Sequence, residues 1–130
     1  MIMLGTNDTK DRFNANAFII AKGMERLAQK AIDTHAAWRG EPRVLIIAPP
    51  PIHPGYADTM VAGEMGTHCV ERSLHIADEY REVAERLHCS FLDAGSIPGM
   101  EMYPYDYMHL SLESHKILAD YLTSYIPTLV

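Results

Sequence analysis

Near the carboxyl end, Asp106-Tyr107-Met108-His109 places a carboxylate and an imidazole three residues apart, directly ahead of Leu110-Ser111 and an amphipathic stretch. A carboxylate that accepts a hydrogen bond from one imidazole nitrogen fixes the ring tautomer and leaves the other nitrogen free as a base. Such a pair can take a proton from a hydroxyl nucleophile without being the nucleophile itself. A second polar cluster, Gly5-Thr6-Asn7-Asp8, follows the apolar run Met1-Ile2-Met3-Leu4. The amide of Asn7 can donate to an oxygen that becomes negative during acyl transfer, and one such donor contributes about 2.7–4 kcal/mol in serine hydrolases. Asparagine also closes strand ends as an Asx turn, and the two roles are compatible. Asp8 fits a structural role, accepting hydrogen bonds from loop amides.

Together these stretches resemble the SGNH (GDSL-type) ester hydrolases. The family's G-x-N-D block reads here as Gly5-Thr6-Asn7-Asp8, and its D-x-x-H block as Asp106-Tyr107-Met108-His109. Val44-Leu45-Ile46-Ile47-Ala48-Pro49-Pro50-Pro51 and Phe91-Leu92-Asp93-Ala94-Gly95-Ser96 look like the arylesterase and acyltransferase branch. The resemblance implies hydrolysis of small or aryl esters without a cofactor. His109 would be the base, Asp106 its orienting partner and Asn7 an oxyanion donor. It runs over essentially all 130 residues but corresponds to the later part of the family's domain. The G-D-S-L block that supplies the serine, and the block that supplies an oxyanion glycine, are not in the sequence. The chain by itself is therefore expected to have little or no esterase activity, with the serine coming from an amino-terminal segment or a partner chain. The other reading is a catalytically inactive relative that acts as a binding or self-associating module. Ser73, Ser90, Ser96, Ser111, Ser114 and Ser124 lie in no G-D-S-L or G-x-S-x-G setting, and Ser96 is the nearest to the expected active edge.

The elements that must position these groups alternate strand, helix, strand, helix, strand, helix. Met1–Leu4, Val44–Ala48 and Ser90–Asp93 read as short strands, the first two of them continuous apolar runs of the kind buried on both faces of a parallel sheet. Asn14 or Asn16 can cap a helix that runs to about Trp38, with Ile20, Met24, Leu27 and Ala31 on its inner face and Gly40 and Pro42 ending it. Pro49 to about His68 reads as a long loop over the active edge. A second helix is expected over Val70–Leu87, with Val70, Leu74, Ala77, Ala84 and Leu87 inward. A third is expected after Ser111, with Ile117, Leu118, Tyr121 and Leu122 inward, stopped by Pro127. This alternation predicts an α/β parallel sheet. The resemblance makes it a three-layer flavodoxin-like sheet of order 2-1-3-4-5, truncated to the last three strands with their helices, in a single partial domain over residues 1–130. In that arrangement Met1–Leu4 has one unpaired side, both connecting helices share a face, and self-association or an amino-terminal partner segment is expected.

A net charge of −6 disfavours nucleic acid and anionic membranes as partners, and no apolar run is long enough to span a bilayer. No basic flank or cleavage site at Met1 marks a secretory signal. Cys69 and Cys89 flank the second predicted helix, roughly 28 Å apart if it is continuous, which excludes a disulfide between them. Free thiols suit a cytoplasmic setting. The remaining histidines, His35, His53, His68, His75, His88 and His115, make no metal-binding spacing and read as surface residues, with His53 and His68 at a pocket rim. The tyrosines and methionines between Met100 and Met108 could line an acyl pocket or serve as loop packing.

Overall fold

The computed structural model describes residues 1–129. Three strands, β1 (Ile2–Met3), β2 (Leu45–Ala48) and β3 (Ser90–Asp93), form one parallel sheet in the order β1-β2-β3. Ile2 pairs with Ile46 and Met3 with Ile47, while Leu45 to Ala48 run beside Ser90 to Asp93. Side chains alternate across a strand, and the two faces collect different partners. Val44, Ile46 and Ala48 pack with helices α1 (Ala17–Asp33) and α4 (Ile76–Leu87), through Ile20, Met24, Ala28, Ile76, Tyr80 and Val83. Leu45, Ile47 and Leu92 pack on the opposite side with Leu118, Ile117 and Leu122 of α5 (Leu112–Tyr125). The result is three layers, with both crossover helices on one face and the last helix on the other. The strand and layer assignments expected from the sequence hold.

The helix boundaries differ from expectation, each for a local reason. Asn16 is the α1 cap, its carboxamide oxygen accepting from Ile19 N–H. That helix ends at Asp33 instead of Trp38. Thr34 leaves helical geometry at ψ 67°, its hydroxyl donates to Lys30 O, and Trp38 Nε1 folds back to donate to Ala31 O. Within α1 the buried stripe is Ala17, Ile20, Ala21, Met24 and Ala28, while Leu27, expected in the core, is exposed.

The second helix is two helices, α3 (Cys69–Leu74) and α4, broken at His75. The halves pack on different partners. Cys69 and Val70 join Ile52, Tyr56 and Met65, whereas α4 lies on the sheet. Ser73 reinforces the break, its hydroxyl accepting from Ile52 N–H and donating to Val70 O. Leu74, expected inward, is exposed. The continuous-helix premise used to separate the cysteines therefore fails. Both are nonetheless free: Cys69 is buried, and Cys89 is half-buried, where burial pushes its thiol up.

The Pro49–His68 stretch is not irregular. It holds a 3-10 turn at Pro54–Asp58 and the short helix α2 (Ala62–Met65), built around Ile52, Tyr56 and Met65. Ser111 caps α5 as expected, its oxygen accepting from Ser114 N–H. Tyr121, expected inward, is exposed, stacked obliquely beside Tyr125. A 3-10 turn at Ile126–Leu129 follows α5. Among the described residues no helix is long and apolar enough to cross a membrane.

Candidate active site

His109 and Asp106 sit in a tight turn between β3 and α5. Asp106 Oδ1 accepts from the N–H groups of Met108 and His109, both at 2.9 Å, and Oδ2 lies 2.9 Å from His109 Nδ1. One carboxylate therefore closes the turn with one oxygen and holds the imidazole with the other. Burial pushes the Asp106 carboxyl up, but the donors from His109 and Met108 outweigh it and hold it below the usual carboxylate range. Asp106 is 18% exposed while the His109 ring is 70% exposed, so the pair is anchored at its acid and open at its base.

The turn requires Tyr107 at φ 58°, a left-handed conformation that costs a bulky residue energy unless its neighbours hold it. Tyr107 N–H donates to Tyr103 O, Tyr107 O accepts from His53 N–H, and the His53 ring stacks on Tyr107 at 4.9 Å. The stretch expected to overhang the active edge thus supports the Asp–His turn directly.

Asn7 lies in a 3-10 turn, Thr6–Thr9, that leaves β1 at its carboxyl end. Asn7, Thr6 and Gly5 line a cleft of about 300 Å³ together with His109, Met108 and Pro50. The three residues singled out from the sequence are therefore brought to one edge of the sheet, with Asn7 and His109 on one cleft. Asp8 lines it too. His115, read from the sequence as a surface residue, is a further wall of this cleft. The signal was present: Ser111 as helix cap puts position 115 in the first turns of α5, beside the Asp–His turn.

The serines stand elsewhere. Ser96 Oγ donates to Asp93 O, Ser114 is fully buried between the N–H and C=O of Glu101, and Ser73 is held as described above. None lines the Asn7–His109 cleft among the described residues. A second, apolar cavity of about 600 Å³ adjoins it across Pro50 and is lined by Ile52, His53, Met100, Met102 and Tyr107. No group of three or more His, Cys, Asp or Glu able to hold a metal ion occurs among the described residues.

The sequence reading missed the clamp that joins the Asn7 loop to α3. Asp11 accepts from Thr67 N–H at 2.8 Å, from His68 N–H at 3.3 Å and from Arg72 at 3.0 Å. Arg72 also donates to Thr9 O, and Lys10 pairs with Glu64. The Thr67 N–H is the main reason the Asp11 carboxyl falls from 3.8 to about 2. A depressed carboxylate contributes stability that is present above its unfolded pKa and lost as pH falls through its folded one. Between about pH 4 and pH 2 the clamp should therefore open. Thermal melts should show wild type losing more stability over that interval than Asp11→Asn; equal losses would mean that the clamp does not hold the loop.

The described residues thus form a three-layer α/β fold in which a histidine held by an aspartate and an asparagine meet on one cleft at the carboxyl edge of the sheet. Solved structures carry the likeness further. The aryl esterase of M. smegmatis is 28% identical with a TM-score of 0.81, over 99% of this chain and 60% of its own. A carbohydrate acetylesterase from Sinorhizobium meliloti is 30% identical with a TM-score of 0.81, over 99% of this chain and 60% of its own. Another solved structure is 36% identical with a TM-score of 0.85, over 99% of this chain and 58% of its own. The chain thus spans about 60% of the length of the structures it matches, and over that span it has the fold of these ester hydrolases. The resemblance to the later part of the SGNH-type hydrolases, read from its motifs, is shown at the level of the fold. No protein-family model and no curated sequence matches it.

Proposed function

We propose that this chain is the base-bearing part of an SGNH-type esterase acting on small esters, aryl or acetyl, and that the nucleophilic serine reaches its cleft from polypeptide outside these 130 residues. The observation that carries the reading is the 2.9 Å contact of His109 Nδ1 with Asp106 Oδ2, with Asn7 on the same cleft. In the reaction His109 takes the serine proton as the oxygen attacks the ester carbonyl. Asp106 holds the ring and balances the imidazolium, and Asn7 donates to the oxyanion. His109 then passes the proton to the departing alcohol, and water repeats the sequence on the acyl-enzyme. The apolar cavity beside Tyr107 has the size and lining to receive the aryl or acyl part of the ester.

The test joins to Met1 an amino-terminal segment that carries a G-D-S-L serine block and follows hydrolysis of a chromogenic acetate ester. The joined protein should turn over and the 130-residue chain should not. A folded joined protein with no turnover, and no labelling by a fluorophosphonate, would leave the chain as a non-catalytic binding module.

A further inference from the structure

The turn that carries Asp106 and His109 is held from two sides. On one side Tyr103 N–H donates to His109 O at 2.7 Å, and Tyr103 O accepts from the N–H groups of Asp106 and Tyr107. These are main-chain bonds, which place no demand on side-chain type. On the other side stands His53, and its hold depends on its ring. The imidazole lies on the Tyr107 ring with centroids 4.9 Å apart and planes 26° apart. His53 Nδ1 accepts from Gly55 N–H at 3.0 Å, which fixes the ring's orientation and places its proton on Nε2. Gly55 leaves the room for this stack. A Cβ there would lie 3.0 Å from His53 Nδ1 and 3.0 Å from Tyr107 Cε2.

Tyr107 keeps its left-handed backbone, φ 58°, only while its surroundings hold it. Tyr107 and Met108, the two residues between Asp106 and His109, pack on the cluster of Ile52, Tyr56, Met65 and Cys69. Ile52 is tied in turn to α3, its N–H donating to Ser73 Oγ. His53 and Tyr107 line the apolar cavity, whereas Met108 and His109 line the cleft. The turn is thus a wall shared by both, and its far side leans on the segment that carries His53. Asp106 reaches His109 Nδ1 with Oδ2 only while Oδ1 stays on the N–H groups of Met108 and His109. Without the Oδ2 bond the tautomer of His109 is not fixed.

We propose that His53 is a positioning residue for His109: through its ring on Tyr107 it keeps the turn in the form that lets Asp106 hold the base with its proton on Nδ1. The role rests on the esterase reading above, in which His109 is the base. No other residue type does both parts of the work. Phenylalanine would keep a ring on Tyr107 and lose the acceptor for Gly55, whereas asparagine would keep the acceptor and lose the ring.

The experiment uses the 130-residue chain labelled with nitrogen-15 histidine. Its readout is the tautomer ratio of His109, taken from the ring nitrogen shifts at a pH where the imidazoles are neutral. Wild type should show His109 with its proton on Nδ1. His53→Ala, folded by circular dichroism, should lower the ratio of the Nδ1–H to the Nε2–H form by about tenfold or more, the factor carried by a hydrogen bond to a charged group. In an Asp106→Asn background, His53→Ala should change the ratio no further, because His53 acts only through that bond. Gly55→Ala should move the ratio as His53→Ala does, while Gly63→Ala, where a Cβ meets nothing within 4 Å, should not. His53→Phe should stay nearer wild type than His53→Asn. An unchanged ratio in folded His53→Ala overturns the proposal, and if that variant does not fold, an unchanged ratio in Gly55→Ala does so. His53→Asn closer to wild type than His53→Phe overturns it too, since the ring on Tyr107 would not be what acts. The ratio is read without a serine and so reports on the positioning alone. A form joined to a serine-bearing segment that folds, keeps the wild-type ratio and does not turn over would sink the esterase reading and leave the hold of His53 on the pair standing.

Discussion

In a form joined to a serine-bearing segment, His109→Ala should lower kcat for a short-chain ester by about 10⁶, the scale seen when the base of a serine hydrolase is removed. Asp106→Asn should cost less, about 10⁴, because it leaves the ring present but no longer held in the right tautomer. Asn7→Ala should cost about 10²–10³ as the loss of one oxyanion donor. The order follows from the geometry. In the proposed reaction His109 would move the proton, Asp106 would act through it at 2.9 Å, and Asn7 would be one oxyanion donor. These losses should fall on kcat with KM little changed, since the groups act on the transition state more than on the bound ester. Steady-state kinetics on the three variants checks the order. If Asn7→Ala proved worse than His109→Ala, the assignment of base and donor would be wrong. The 130-residue chain without the serine should show no turnover that responds to any of the three.

Gly5→Ala should destabilise the chain by about 2–6 kcal/mol. Gly5 has φ 124°, a region closed to residues with a side chain, and the strain of forcing alanine there is roughly 1–3 kcal/mol. A Cβ at this site would also lie 2.5 Å from the Tyr80 hydroxyl. Tyr80 cannot withdraw: it is buried on α4, and its hydroxyl donates to Leu4 O at 3.1 Å. Burial, with a smaller push from Asp8, moves the phenol far above its usual range, so it remains a donor throughout. Crowding a packed site adds roughly another 1–3 kcal/mol. Tyr80→Phe in the same chain should return part of the loss by removing the clash, while leaving Leu4 O without its partner. Urea melts of the single and double variants measure both terms. A cost below about 1 kcal/mol would show that the turn relaxes freely and does not seat Asn7.

The sequence by itself determined the strands, their order along the chain and the two residues, Asp106 and His109, that pair in one turn. The reasons are local. Continuous apolar runs such as Leu45–Ala48 have few alternatives to a doubly covered strand. Alternation with helices leaves a parallel sheet, and Asp106 and His109 are close enough in sequence for one turn to join them. That Asn7 and His109 line one cleft, a hundred residues apart in the chain, is a property of the sheet, which sends β1 and the turn after β3 to the same edge. Only tertiary structure decided the rest. The break at His75 exists because Cys69 and Ile76 pack on different clusters, a choice that helical periodicity cannot see. The clamp of Asp11 on Thr67, His68 and Arg72 joins residues more than fifty positions apart whose types carry no mark of pairing. Leu27 has the right spacing for the core and lies in an open groove instead. A helix presents apolar residues at nearly the same spacing on neighbouring stripes, and only the position of the sheet decides which stripe is covered.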